Sequence, residues 1–177
     1  MFSCKYDHGG KYKVIRRTLL TLCSILLVIS LISSCSDYKT FNHCELYIRL
    51  PSEFEDVGAT DSFDLLMSNG DVSVGVSRIS FGAAYENGIP DTLTDKAFAE
   101  YFLMQSGKVL TVYTRDGVPY FSYTEELDGN EYYCVATFYR SLYAYFLVLY
   151  STDAHLREVW REPFLEFATD VTFKYDE

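Results

Sequence analysis

Positive charge is what most of this 177-residue sequence lacks. From Cys35 onward there are 10 Lys and Arg against 24 Asp and Glu, a balance of −14. No basic surface is available to displace counterions from phosphates, which excludes a nucleic-acid binder of that kind. Histidine occurs three times, as His8, His43 and His155, with no His-x₃-His spacing, and the five cysteines include no Cys-x₂-Cys pair. The usual zinc site is therefore unsupported. Four prolines and ten glycines exclude a Pro/Gly-rich repeat. There is no Gly-x-Ser-x-Gly elbow, no phosphate-cradling loop and no Gly-x-Gly-x-x-Gly after a strand. What the chain does have is 49% apolar and 17% aromatic residues, which excludes general disorder.

The basic residues that remain are concentrated at the start. Lys5, Lys11, Lys13, Arg16 and Arg17 precede a stretch, residues 18–36, that carries no charge and is rich in leucine and isoleucine. It runs into Ile32-Ser33-Ser34-Cys35. Basic, apolar, then small is the order of a secretory signal. The tetrapeptide resembles the lipobox of bacterial lipoproteins. The resemblance implies cleavage after residue 34, acylation of the Cys35 thiol, and a protein held by lipid at the extracytoplasmic face of a bacterial membrane. The alternative is an uncleaved membrane helix, because 19 uncharged residues just reach across the hydrocarbon. The expected organisation is a signal peptide over 1–34, a lipidated tether over 35–44 and one domain over 45–177.

In the domain, Leu46, Ile48 and Leu50 alternate with Tyr47 and Arg49, and Phe63, Leu65 and Met67, and Val72, Val74 and Val76, recur at the same spacing of two. Each reads as a strand. Asn69-Gly70 between the last two predicts a hairpin with φ > 0 at both central positions. The apolar phase then shifts to Ile79 and Phe81, predicting a bulge near Ser77. Residues 82–90 read as a loop. A helix follows, capped by Asp91 or Thr92, with a stripe of Leu93, Ala97, Tyr101 and Met104 beside Phe98 and Phe102, stopping at Gly107. Strands are predicted over 109–114, 118–127, 131–139 and 143–150, with turns at Asp116-Gly117, Asp128-Gly129 and Arg140-Ser141. The last of these is apolar at nearly every position, so it must be covered on both faces. Leu156, Val159, Trp160, Phe164 and Phe167 predict a second helix, kinked or split at Pro163. Val171 and Phe173 close the chain as a short strand.

The fold class is α+β, with an antiparallel sheet covered by helices on both faces. This order, together with Leu50-Pro51 at the start and Phe164-Leu165-Glu166-Phe167 and Val171-Thr172-Phe173 at the end, resembles the PsbP-like α/β/α sandwich. That group includes the extrinsic photosystem protein PsbP, DcrB-type lipoproteins and a nuclear Ran-binding factor. The resemblance implies a fold whose relatives mostly bind proteins or act as accessory factors, and it carries over no catalytic or binding residue.

Few side chains present themselves as chemistry. Glu53, Glu55, Asp56, Asp61 and Asp64 read as a Ca²⁺ loop or a solvated acidic loop, and EF-hand spacing is absent. Glu125 and Glu126 are adjacent on a strand and point to opposite faces, so they cannot flank one glycosidic bond. His155 has no nucleophile motif and reads as an exposed helix-start residue. Sixteen tyrosines, half of them between 120 and 150, offer either an aromatic platform or rings turned inward with hydroxyls outward. Cys44 and Cys134 are expected as two free, mostly buried thiols, the alternative being a bridge between them.

No catalytic, cofactor-binding or metal-ligating residue is assigned, and Cys35 is the one site residue, for lipid attachment. The expected function is a non-enzymatic binding or accessory module of the cell envelope. Its partners would be the membrane, through the anchor, and an envelope protein; nucleic acid is not among them. The alternative is a small hydrolase or ligand carrier with a cleft between sheet and helix. Replacing Cys35 by Ala should leave the precursor uncleaved and abolish acyl labelling; a variant processed and partitioned as the parent is would refute the lipobox reading.

Overall fold

A computed structural model describes residues 37–175. The expected signal peptide, the lipobox-like tetrapeptide and the expected acylation site Cys35 lie outside the described residues. Among the described residues there are ten strands: β1 Tyr38–His43, β2 Leu46–Pro51, β3 Glu55–Gly58, β4 Leu65–Ser68, β5 Val72–Ser80, β6 Tyr113–Arg115, β7 Val118–Leu127, β8 Asn130–Arg140, β9 Ala144–Asp153 and β10 Thr172–Phe173. The α-helices among the described residues are α1 Phe81–Glu86, α2 Asp95–Ser106 and α3 Arg157–Thr169, the last preceded by a 3₁₀ turn at Ala154–Leu156. Strands β1-β2-β10 form a small sheet, and β3-β4-β5-β9-β8-β7-β6 a seven-stranded one. Every pairing is antiparallel. The chain is thus a mixed helix and strand domain built on antiparallel sheets.

The central meander follows the turns its sequence encodes. Asp116-Gly117 and Asp128-Gly129 have φ of 49° and 87°, and 52° and 80°, so both central residues of each hairpin lie in the left-handed region. The β4–β5 hairpin differs from expectation. Gly70 has φ 96°, but Asn69 does not share its sign. The turn is Gly70-Asp71, with Asn69 N–H donating to Val72 O at 3.2 Å. The Asn69 carboxamide oxygen accepts from the Asp71 and Val72 amides at 3.1 and 2.8 Å.

Strand β9 lies between β5 and β8. Successive side chains on a strand point to opposite faces, which sorts the apolar residues into two clusters. The first holds Val72, Val74 and Val76 of β5, Val135 and Tyr139 of β8, and Phe146, Val148 and Tyr150 of β9. To these are added Leu46, Ile48 and Leu50 of β2 and Phe164, Leu165 and Phe167 of α3. The second holds Phe121, Ala136, Phe138 and Tyr145 with Ala84 of α1 and Phe98, Ala99 and Leu103 of α2.

Several expectations are corrected. The β5–β9 register runs unbroken from Val72↔Thr152 to Ser80↔Ala144, so there is no bulge at Ser77. The phase shift instead marks where β5 stops contributing to the first cluster and Ile79 packs on the second. Residues 38–43, expected within the tether, form β1 paired along β2. Phe41 is its one buried residue, too little for the alternation to be visible. Helix α1 takes in Phe81, expected on the strand, and residues 82–86, expected as loop, with the Ser80 hydroxyl accepting from Ala83 N–H at 3.2 Å. Thr94, rather than Asp91 or Thr92, caps α2. Its buried face is Phe98, Ala99 and Leu103, while Met104 of the expected stripe is 67% exposed. Of the expected 109–114 strand only Tyr113 and Thr114 pair, and the pairing continues to Arg115. Helix α3 runs through Pro163 unsplit. The carbonyl that proline leaves without its donor belongs to Val159, which is exposed to water.

The two sheets are joined by a polar clasp. Glu45, in the β1–β2 turn, accepts from Ser141 Oγ at 2.7 Å and from Arg78 Nε at 3.3 Å, and is only 8% exposed. Its carbonyl accepts from the Lys174 amide at 2.9 Å. Burial works to raise the Glu45 pKa. The Ser141 hydrogen bond, a backbone hydrogen bond and Arg78 outweigh it, and the carboxyl is held below its ordinary 4.5. A carboxyl whose pKa falls on folding stabilises the fold above its ordinary pKa, and that contribution is lost as the pH drops through the folded value. Replacing Glu45 by Gln should therefore lower unfolding stability by about 2 kcal/mol at pH 7. Denaturant titrations should show the gap to the parent narrowing steadily below pH 4.5. An equal gap at pH 7 and pH 3 would contradict the assignment.

Candidate functional site

Helix α2 lies over β7 and β8. The neighbouring part of the same face, on β5 and β9, is incompletely covered: Ile79, Leu147 and Leu149 are all partly exposed. They floor a cleft whose helical wall is Phe98 and Phe102 and whose far wall is Phe63. Two hollows, of about 330 and 510 Å³, share Ile79, Phe98 and Phe102 and run along the helix edge. The first is almost wholly apolar, with Phe121, Tyr123 and Ala136 completing its lining and Lys108 at its rim. The second extends toward α1 through Ala83, Asn87 and Ile89 and carries Tyr101 and Gln105 on the helix side.

Each wall has a local cause. Phe63 is placed by the 60–64 loop. Its amide and that of Ser62 donate to Thr60 Oγ1 at 3.1 and 3.3 Å. Ser77 Oγ donates to Ser62 O at 3.0 Å, and the Arg78 amide donates to Asp64 Oδ2 at 2.7 Å. The Phe63 ring lies directly on Gly75, where a Cβ would meet it at 2.5 Å, so only glycine at that position lets the ring close the cleft. The opposite wall is an aromatic stack. Phe98 lies parallel to Tyr145 with centroids 4.3 Å apart, and Phe102 packs on Phe138 and Phe121 at 5.5 and 6.5 Å. The Tyr145 hydroxyl donates to Pro90 O at 2.7 Å, pinning the segment that leads into α2.

At the rim, Lys108 Nζ stands 3.5 Å from Glu125 Oε2 and 3.7 Å from the Tyr123 ring centroid. Cys134 Sγ lies 3.8 Å from Glu125 Oε1. Burial pushes the Cys134 thiol up to about 12, and the Glu125 charge adds to this. The Tyr123 phenol is raised by burial and by the same two neighbours. Thiol and phenol both stay protonated at neutral pH, so Cys134 does not serve as a thiolate nucleophile here. The arrangement is suited to holding apolar groups against a dry floor.

The residues singled out from sequence are dispersed. His155 is 72% exposed and 3.9 Å from Asp153. Glu125 faces Lys108 and Cys134 without Glu126. Within the acidic stretch, Asp56 and Asp64 accept backbone amides. Among the described residues no group of three His, Cys, Asp or Glu is arranged to hold a metal. Cys44 and Cys134 are both free, but only Cys134 is buried. Cys44 corrects the expectation of an inward thiol: it occupies the β1–β2 turn with φ 50°, and the strand begins only at Leu46. Tyr133, Tyr139, Tyr145 and Tyr150 are buried rings. The cleft itself went unassigned to residues because the shortfall in cover over β9 depends on where α2 lands. Gly75 inside a strand was the available signal.

No protein-family model matches the chain, and no curated protein sequence matches it. Among solved structures, a crystal structure from Bacteroides thetaiotaomicron VPI-5482 aligns with a TM-score of 0.53 and 11% identity over 78% of this chain. The chain spans about half of that structure's length, 49%. This likeness is one of fold. The solution structure of cyanobacterial PsbP (CyanoP) from Synechocystis sp. PCC 6803 aligns with a TM-score of 0.46 and 10% identity, covering 80% of this chain and 95% of its own. PA94 of Pseudomonas aeruginosa, a protein of unknown function, aligns with 0.39 and 14%, covering 79% and 98%. These last two scores do not establish a shared fold.

Proposed function

We propose that this protein is a lipid-anchored binding module of the bacterial cell envelope, held at the extracytoplasmic face through Cys35, that acts on a protein partner without catalysing a reaction. Its domain is a PsbP-like sandwich in which helices cover both faces of the seven-stranded sheet. The anchor is supported by the order of basic, apolar and small residues before Cys35. The sandwich is supported by the chain order of elements and by two apolar clusters that draw on different helices. The observation that carries the binding role is the cleft floored by Ile79, Leu147 and Leu149, an apolar recess left open beside α2.

A second reading, a carrier of a small apolar ligand, draws on the same cleft, whose inner part of about 330 Å³ falls within the range of small-molecule sites. The two separate on what is recovered with the protein. Gently solubilised, anchored protein should bring down one saturable envelope protein. A charge placed in the floor by Leu149→Arg should weaken that recovery at least about tenfold, as the loss of one central apolar anchor does. Val159→Arg, on the outer side of α3, should leave recovery unchanged. Equal recovery by both variants, each folded by circular dichroism, would reject the cleft as the binding surface. A released small molecule with no protein would favour the carrier.

A further inference from the structure

Strand residues of the opposite parity to those flooring the cleft meet α3 around a second cavity, of about 440 Å³. Tyr113, Tyr120, Ser122 and Tyr133 line it from β6, β7 and β8, and Arg157 and Arg161 from α3. The two arginines are four residues apart, on one side of the helix. The Arg157 guanidinium sits 5.3 Å from the Tyr133 ring centroid, and its Nε is 3.7 Å from the exposed Glu158. Glu162, the acid next to Arg161, is taken by Arg115 from β6. Arg161 is left without an ion pair, hydrogen bond or ring contact among the described residues. The nine other lysines and arginines in that span each have a carboxylate or an aromatic ring. Tyr113 and Tyr120 stand with ring centroids 5.8 Å apart, and Tyr113 is 56% exposed.

We infer that this cavity binds a small anion whose carboxylate or phosphate is carried on a flat ring. The acid group lies between Arg157 and Arg161, and the ring against Tyr113 and Tyr120. Guanidinium groups are matched to oxyanions in paired hydrogen bonds, and tyrosine faces supply rigid apolar contact to a ring. Ser122 and Tyr133, which also line the cavity, each carry a hydroxyl able to donate a hydrogen bond. The acidic surface of the chain, −14 from Cys35 onward, disfavours a polyanion and restricts the site to a compact ligand whose charge is met locally.

The test is titration calorimetry of the detergent-solubilised full-length protein with phenyl phosphate and benzoate, against inorganic phosphate and phenol as the separated halves. Trp160, the single tryptophan, adjoins Arg161 and gives an independent emission readout. At least one aryl acid should bind saturably, and the better of the two identifies the acid group the site prefers. Each half should bind about tenfold or more weakly, and added salt should weaken the aryl acid. Arg161→Ala should weaken the aryl acid about tenfold without changing the melting temperature, and Arg161→Lys should fall between, since an ammonium lacks the planar fork. Failure of both aryl acids to saturate, equal binding by Arg161→Ala, or inorganic phosphate binding as tightly as phenyl phosphate would each overturn the inference.

Discussion

Strand β9 is apolar on both faces, and the rest of the domain is arranged around the need to cover them. Its even-numbered residues, Ala144, Phe146, Val148 and Tyr150, are fully buried, and so is Tyr145 on the other side. A strand with apolar residues on both faces is unstable at a sheet edge or against water, so β5 and β8 flank it, and each face needs a layer of its own. Helix α3 and strand β2 contribute to the cluster around the even side. On the odd side α2 centres on β7 and β8, and its aromatic wall reaches only as far as Tyr145. Leu147 and Leu149 therefore remain partly exposed. The cleft is what is left where α2, of 12 residues, and the short α1 do not reach across a sheet of seven strands.

Polar groups inside the domain behave according to whether donors come with them. Glu45 leaves water in the company of Ser141 Oγ and the Arg78 guanidinium and stays ionised. Cys134 is buried beside Glu125, and burial first, with the charge of that carboxylate added, keeps the proton on the thiol. Tyr139 is buried with its hydroxyl donating to Ala168 O at 2.8 Å. Tyr150, equally buried, finds no hydrogen-bond partner among the described residues. The first of these carboxylates joins the two sheets, and the second sits at the mouth of the cleft with Lys108 beside it.

Much of the meander was legible because its signals are local. Val118–Leu127 and the Asp-Gly turns follow from alternation and from the left-handed backbone those dipeptides accept, and Gly107 ends α2 with φ 67° as its position implied. Strand β1 was not legible, since Phe41 is its one buried side chain, nor was α1, six residues long with Gly82 in its first turn. The phase change in β5 was visible but ascribed to a bulge. Telling a bulge from a strand that serves two cores requires knowing what lies on each side. The cleft could be anticipated only as a kind of place, between sheet and helix. Glu45 looked like one acid among many because its partner Ser141 is distant in sequence and adjacent only once β2 docks on the large sheet.

The claim that the uncovered part of β9 is a binding surface is tested most directly by site-specific photo-crosslinking in intact cells. A benzophenone side chain introduced at Leu149 should yield one discrete adduct. The same group at Val159, on the outer side of α3, should yield none. Absence of any adduct from position 149 with the protein present at normal levels, or an identical adduct pattern from both positions, would contradict the account.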